Sequence, residues 1–257
     1  MKAVILAGGL GTRLAEETSM RPKPMVEIGG RPILWHIMKI YESYGIDDFV
    51  VLGGYKVEMI KDYFLNYVKL NSDIICDMKN NSFSTISSTK EKWRVTILDT
   101  GISTMTGGRL ARAKRVIGEA PFLLTYGDGV GDIDIGELIK FHQSQGAIVT
   151  LTSAQPSGRF GALEIGENNR VERFREKPRG DGSWINAGFM VCSPEFFDYL
   201  SDSAECILEQ EPLMKCARDG GLYTYKHRGF WMPMDTLRDK EILEDQWNRN
   251  NAKWKVW

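Results

Sequence analysis

One short apolar run that ends abruptly in glycines limits what this chain can fold into. Ala3-Val4-Ile5-Leu6 offers no polar position. A strand with one wet face would alternate, so an unbroken run of this length suits a strand covered on both sides. It leads into Leu6-Ala7-Gly8-Gly9-Leu10-Gly11-Thr12-Arg13-Leu14. Three glycines directly after a buried strand let the backbone come close to a ligand and point N–H groups at it, an arrangement suited to phosphate oxygens. Glycine-rich strand exits also occur as plain tight turns, and glycine alone leaves both readings open. Spelling excludes two familiar phosphate motifs. No Lys-Ser/Thr pair follows as a P-loop needs, and Leu14 breaks the dinucleotide pattern GxGxxG. Arg13 adds a forked cationic donor that turn geometry does not require.

The same signal recurs. Phe49 to Leu52 runs into Gly53-Gly54, and Phe122 to Thr125 runs into Gly127-Asp128-Gly129. Between these strands, helical patterns follow Pro32 as far as Gly45, span Val57 to Val68, and span Ile135 to Phe141. Ala147 to Thr152 reads as a further strand. Strands alternating with helices predict a doubly wound, mostly parallel α/β sheet, with ligands beyond the carboxyl ends of the strands. After residue 150 the pattern is less regular and predicts a smaller α+β portion. It holds a hairpin around Asn168-Asn169 and helices over 205–218 and 235–250. The polar stretch from Lys79 to Lys92 predicts a long loop. The expected organisation is one domain over 1–257, in two halves (1–150 and 151–257).

Composition narrows the partners. A chain of 257 residues, 42% hydrophobic and 26% charged, can bury a core without staples. Its net charge of −1 gives no broad attraction to nucleic acid or anionic membrane, so an anionic ligand needs a local cluster of donors. Cys76, Cys192, Cys206 and Cys216 show no metal-ligand spacing and read as buried small hydrophobes in a reducing compartment. The N-terminal apolar run is too short for a signal peptide, and no stretch approaches the ~20 apolar residues of a membrane span. A cytoplasmic protein is the expectation.

Several residues beyond the glycine turn are candidates for chemistry. Lys23 stands between Pro22 and Pro24, which predicts a rigid, extended backbone around a lysine. Asp128, at a strand end between two glycines, can project into the cleft. Asp235, ahead of the last helical pattern, reads by itself as a helix N-cap. Thr104-Met105-Thr106-Gly107-Gly108-Arg109 opens a basic stretch whose Arg112 and Arg115 read as a solvated face or a subunit contact. His36, His142 and His227 lack catalytic partners at useful spacing and read as structural. Trp247, Trp254 and Trp257, set among polar residues, predict that the tail docks on the domain or on a neighbouring subunit.

In order along nearly the whole chain, the glycine turn, Pro22-Lys23-Pro24, Tyr126-Gly127-Asp128-Gly129, Phe160-Gly161-Ala162-Leu163, Glu176-Lys177-Pro178, Ile185-Asn186-Ala187-Gly188-Phe189 and Trp231-Met232-Pro233-Met234-Asp235-Thr236 resemble the sugar-phosphate nucleotidyltransferase family. The wording of Arg21 to Gly29 and Met234 to Lys240 is most similar to the branch that joins CTP to glucose 1-phosphate. The resemblance implies a Rossmann-like nucleotidyltransferase fold. It implies that Leu6, Ala7, Gly8, Gly9, Leu10, Gly11, Thr12, Arg13, Lys23, Thr104, Gly108, Arg109 and Asp128 bind the nucleotide, with Arg13 and Lys23 catalytic. It implies that Asp128 and Asp235 converge on one Mg²⁺, a metal that accepts hard carboxylate and phosphate oxygens. By the same resemblance 1–150 is the nucleotide-binding half and 151–257 the sugar-phosphate-binding half with an oligomerisation tail, in which Gly161, Glu176, Lys177, Asn186 and Ala187 hold the sugar phosphate. The implied assembly is a homo-oligomer, with a hexamer favoured, and the implied product feeds dideoxysugar synthesis for a surface polysaccharide such as a lipopolysaccharide O-antigen. Base choice rests on wording, so UTP, dTTP or GTP as donor stays open. A non-catalytic, sugar-nucleotide-sensing homologue is the rival from another class; retention of Lys23 and both carboxylates speaks against it.

Overall fold

The computed structural model describes residues 1–87, 91–155, 162–165, 170–175 and 183–257. Eight strands form its main sheet: β1 (Lys2–Ala7), β2 (Asp48–Gly53), β3 (Arg94–Asp99), β4 (Phe122–Tyr126), β5 (Val149–Ala154), β6 (Ile185–Asn186), β7 (Met190–Cys192) and β8 (Leu222–Lys226). Their order is β6-β5-β7-β4-β1-β2-β3, with β8 paired to β5. The half β4-β1-β2-β3 is wholly parallel, with Val4 opposite both Val50 and Leu124. β7 enters antiparallel to β4, and β5 continues the sheet beside it. This is the mostly parallel α/β sheet the alternating pattern predicts.

The unbroken apolar runs have a direct cause. On β1, Ala3, Ile5 and Ala7 face one core while Val4 and Leu6 face a second on the opposite side of the sheet. Successive side chains point to opposite faces, so a strand covered twice has no polar position left. Helices α1 (Ile33–Glu42), α2 (Val57–Leu70), α4 (Ile135–Gln145) and α6 (Leu237–Asn248) lie against the first face, and α3 (Thr106–Arg112) and α5 (Glu211–Arg218) against the second. The first core also takes in Trp254, fully buried, so the tryptophan tail docks on its own chain. No helix among the described residues is long and apolar enough to cross a membrane.

Some expectations are corrected. Within the stretch predicted as loop, Ser82–Thr85 is a strand paired antiparallel with Ile74–Asp77. Residues 205–210 are turns and irregular chain rather than helix, and α5 begins only at Glu211, with Pro212 in its first turn. Pro32 caps α1 from outside rather than opening it. Cys76 is exposed on the hairpin instead of buried, whereas Cys192 and Cys216 are buried as expected. The hairpin of Ala162–Ile165 with Val171–Arg175 is present, while its turn at Asn168-Asn169 lies outside the described residues.

Candidate active site

β1 is where the sheet order reverses: the chain leaves it toward β2 and β3, then returns to build β4 on the other side. A crevice must open beyond the carboxyl ends at such a switch point. A cleft of about 310 Å³ lies there, lined by Leu6, Ala7, Gly8, Gly9, Gly11, Thr12, Arg13, Lys23, Pro24, Thr104, Met105, Thr106, Arg109, Tyr126, Gly127 and Asp128. Most residues expected on the nucleotide side are therefore brought together. Leu10 instead points to solvent, and Gly108 is packed so tightly that an added Cβ would sit 2.5 Å from the Ser203 carbonyl.

The glycine turn is pinned from behind. Gly11 adopts φ +66°, and a Cβ there would also meet the Thr18 methyl at 2.7 Å. Thr18 Oγ1 donates toward the carbonyls of Gly11 and Leu14, both at 3.0 Å. The Gly8 carbonyl accepts from Tyr55 N at 3.3 Å and from Arg109 at 2.9 Å. Arg109 is the main departure from expectation. Its buried guanidinium donates to the carbonyls of Gly8, Gly53, Gly101 and Ile102 and to the Thr100 hydroxyl. Burial, then neighbouring Arg112, lowers its pKa. A guanidinium has five N–H donors, and here they knit three loops together. Gly8 and Gly54 are glycine for the same reason: a Cβ at either would lie within 2.3 Å of that group. Arg112 likewise donates to Thr100 O at 2.5 Å and Thr104 Oγ1 at 2.7 Å, so it is more than a solvated charge.

Opposite the turn stands a charge cluster. Pro22 is extended, but Lys23 opens a one-turn 3₁₀ segment (Lys23–Met25) that buries its stem. The Lys23 ammonium donates to Asp128 Oδ2 at 2.6 Å and to Asp235 Oδ1 at 2.7 Å. Arg13, whose side chain is 73% exposed, donates to Asp235 Oδ2 at 2.9 Å. Burial pulls the lysine down, yet Asp128 and Asp235 more than offset it and hold the ammonium above its ordinary value. Asp235 is free for this because it is not the helix cap. Thr236 caps α6 in a box with Asp239, whose carboxylate accepts from Thr236 N at 2.8 Å.

On the sugar side, Gly161, Glu176 and Lys177 lie outside the described residues. Asn186 and Ala187 sit beyond the cleft lining. Asn186 reaches it by donating from Nδ2 to the Tyr126 hydroxyl at 3.2 Å. Lining residues that the sequence reading did not single out are Pro24, Met105, Thr106, Tyr126 and Gly127. The sequence marks Tyr126 and Gly127 only as members of the Tyr126-Gly127-Asp128-Gly129 motif at a strand end, not as site residues. The histidines are structural: His142 bonds Thr150 and Ser193, His227 contacts Asp132 and Phe230, and His36 belongs to the tail contact.

Two carboxylates on one cation, beside a glycine turn with an exposed arginine, are groups that could hold polyphosphate and a hard divalent metal. The donor set fits Mg²⁺: oxygen ligands only, with a positive charge already drawn between them. Comparison with known proteins points the same way. The family model described as nucleotidyl transferase matches residues 2–239. The chain is 54% identical to glucose-1-phosphate cytidylyltransferase of Salmonella typhi over 258 residues, covering 100% of both chains. It is 45% identical to the probable glucose-1-phosphate cytidylyltransferase of Bacillus subtilis (strain 168), again over 100% of both. In structure it is similar to HddC from Yersinia pseudotuberculosis, with TM-score 0.70, 22% identity, and coverage of 96% of this chain and 99% of that one.

Proposed function

This chain belongs to the nucleotidyl transferase family, and from that premise we propose that it transfers the cytidylyl group of CTP to glucose 1-phosphate, giving CDP-glucose and pyrophosphate. The observation that carries the reading is the grip of Lys23 on Asp128 and Asp235 at the mouth of the glycine turn. Full-length similarity to proteins bearing that activity in their names supports the choice of substrates.

The chemistry asks little of the protein beyond alignment and charge. The attacking oxygen of glucose 1-phosphate is already anionic, so no base is required. It bonds to the α-phosphorus of CTP as the bond to the α,β-bridging oxygen breaks, and pyrophosphate carries the electron pair away. The glycine turn and Arg13 hold the triphosphate. Lys23 offsets the charge that gathers on the α-phosphoryl oxygens. Arg109 acts from behind by fixing the Gly8 carbonyl, while Thr104 and Gly108 belong to the loop that meets the base. Asp128 and Asp235 would hold Mg²⁺, which when bound neutralises phosphate oxygens. Lys177 and Glu176, with Gly161, Asn186 and Ala187, hold the sugar phosphate in this reading.

The same proposal makes the protein a cytoplasmic homo-oligomer, a hexamer, with a product used for dideoxysugars of a surface polysaccharide. Exposed Ile74, Ile75 and Phe83 on the 74–85 hairpin, with Ile86 just beyond it, support association, since so much apolar surface on one projection is unusual for a monomer.

The test is pyrophosphate release from glucose 1-phosphate and Mg²⁺ with CTP, UTP, dTTP, GTP and ATP in parallel. Strong preference for CTP is expected. Preference for another nucleotide overturns the cytidylyl assignment but keeps the reaction class. No release with any of the five, with mannose 1-phosphate also tried, would favour the sensing role.

A further inference from the structure

Glu209 lies outside the cleft lining, on the turn that precedes α5, yet its carboxylate links the two sides of the cleft. Oε1 accepts from the Tyr126 hydroxyl at 2.6 Å, and Oε2 accepts from the Thr106 hydroxyl at 2.7 Å. Hydrogen bonds from hydroxyls to an ionised carboxylate are the short, strong kind. Thr106 is the first residue of α3, on the loop of the nucleotide side, and its oxygen accepts in turn from Leu208 N at 2.9 Å. Tyr126 ends β4 beside Gly127-Asp128 and accepts from Asn186 Nδ2 at 3.2 Å.

The direction of each bond is determined. A carboxylate only accepts, so both hydroxyl protons point at Glu209. A phenol has one proton, so Tyr126 can meet Asn186 only as an acceptor. Asn186 must then present its NH₂, and its Oδ1 accepts from Gly188 N at 2.9 Å, which demands the same orientation. Burial, followed by the Glu209 charge, raises the Tyr126 pKa, so the phenol keeps its proton at neutral pH.

We propose that Glu209 is a positioning residue that holds the nucleotide side, through Thr106, in register with the sugar side, through Tyr126 and Asn186. The inference rests on the transfer reaction proposed above. Glu209 meets no reacting atom. It ties together the aim of groups on two segments, at Thr106 and at Tyr126, that lie 103 and 83 residues from it in the chain.

The experiment measures KM for CTP and for glucose 1-phosphate, with kcat, in the wild type and four variants. Thr106→Val is expected to raise KM for CTP about tenfold and leave that for glucose 1-phosphate unchanged, the scale of one charge-assisted hydrogen bond. Tyr126→Phe is expected to do the reverse. Glu209→Ala should raise both, and Glu209→Gln, which keeps one acceptor oxygen, should recover part of the loss. Thr106→Val and Tyr126→Phe keep the shape of the side chain, so they answer the question even if Glu209→Ala folds poorly. A wild type active on these substrates whose KM values survive Glu209→Ala, or single-arm variants that shift both KM values alike, would overturn the inference alone. A wild type inactive with every nucleotide would overturn the reaction and the inference together.

Discussion

The two ends of the chain meet twice, and the two meeting places differ in kind. In the cleft, Lys23 meets Asp235, with Asp128 and Arg13 completing the cluster. On the sheet's first face, His36 meets Trp254, with Trp35, Trp247 and Trp257 around them. The second cluster is closed. His36 is fully buried, donates from Nε2 to the Ile28 carbonyl at 2.8 Å, and accepts at Nδ1 from the Trp254 indole at 3.3 Å. Those assignments agree with the neutral ring that burial enforces. The first cluster is open, with side-chain exposure from 11% at Lys23 to 73% at Arg13. Polar groups whose bonds are all completed inside the protein hold it together. Groups that hold one another at a cleft can exchange those partners for a ligand.

That contrast can be broken by two substitutions. Trp254→Ala removes a large side chain from a packed core and is expected to cost about 3–5 kcal/mol of stability, read as the urea midpoint. At temperatures where the variant is folded, its turnover should remain near wild type. Lys23→Ala should do the opposite: turnover falls about 10²–10³-fold, the scale for losing one preorganised donor to a developing charge. Its unfolding midpoint should move far less than that of Trp254→Ala. A Lys23→Ala enzyme with near-wild-type turnover would remove the cation from the mechanism. A Trp254→Ala protein as stable as wild type would make the tail an ornament rather than a clamp.

How far these clusters could be read from sequence follows from the range of the interactions. The parallel half was legible because burial on both faces writes itself locally as runs such as Val4-Ile5-Leu6 and Phe49-Val50-Val51. The glycine turn was legible for a similar reason, since close approach excludes a Cβ. Asp235 was not, because its partner Lys23 lies 212 residues away and nothing local reveals that Thr236 takes the cap. Resemblance alone had singled it out. Arg109 lines the cleft as expected, but its hold on the loop carbonyls was not legible, because sequence cannot say whether a guanidinium faces a ligand or the carbonyls of its own loops. The Ser82–Thr85 strand was missed because an exposed polar strand has no apolar alternation to show. Residues 205–210 have helix-forming composition, but the carbonyls of Ala204 and Cys206 accept from Met105, Gly107 and Gly108 instead of continuing a helix.

The smallest expected effect separates the clusters by pH. Burial lowers the His36 pKa from 6.5 to about 4. Between those values the unfolded chain holds a proton that the folded chain does not, so protons favour unfolding. The contribution is fully present above pH 6.5 and declines as pH falls toward 4, by about 1.4 kcal/mol per pH unit. Lys23 has the opposite sign at the opposite end of the scale. Its ammonium is held above 10.5, so its contribution is present below that value and is lost only as alkaline pH rises through the folded pKa. Across pH 5.5–7.5 the closed cluster should therefore respond while the cleft lysine stays silent. Unfolding free energies from urea titrations at those two pH values should differ by about 1.4 kcal/mol more in the wild type than in His36→Phe, which keeps a ring in place but cannot titrate. If the variant loses as much stability on acidification as the wild type, the proton is taken up elsewhere, and the aromatic cluster is not the closed, neutral site that its hydrogen bonds describe.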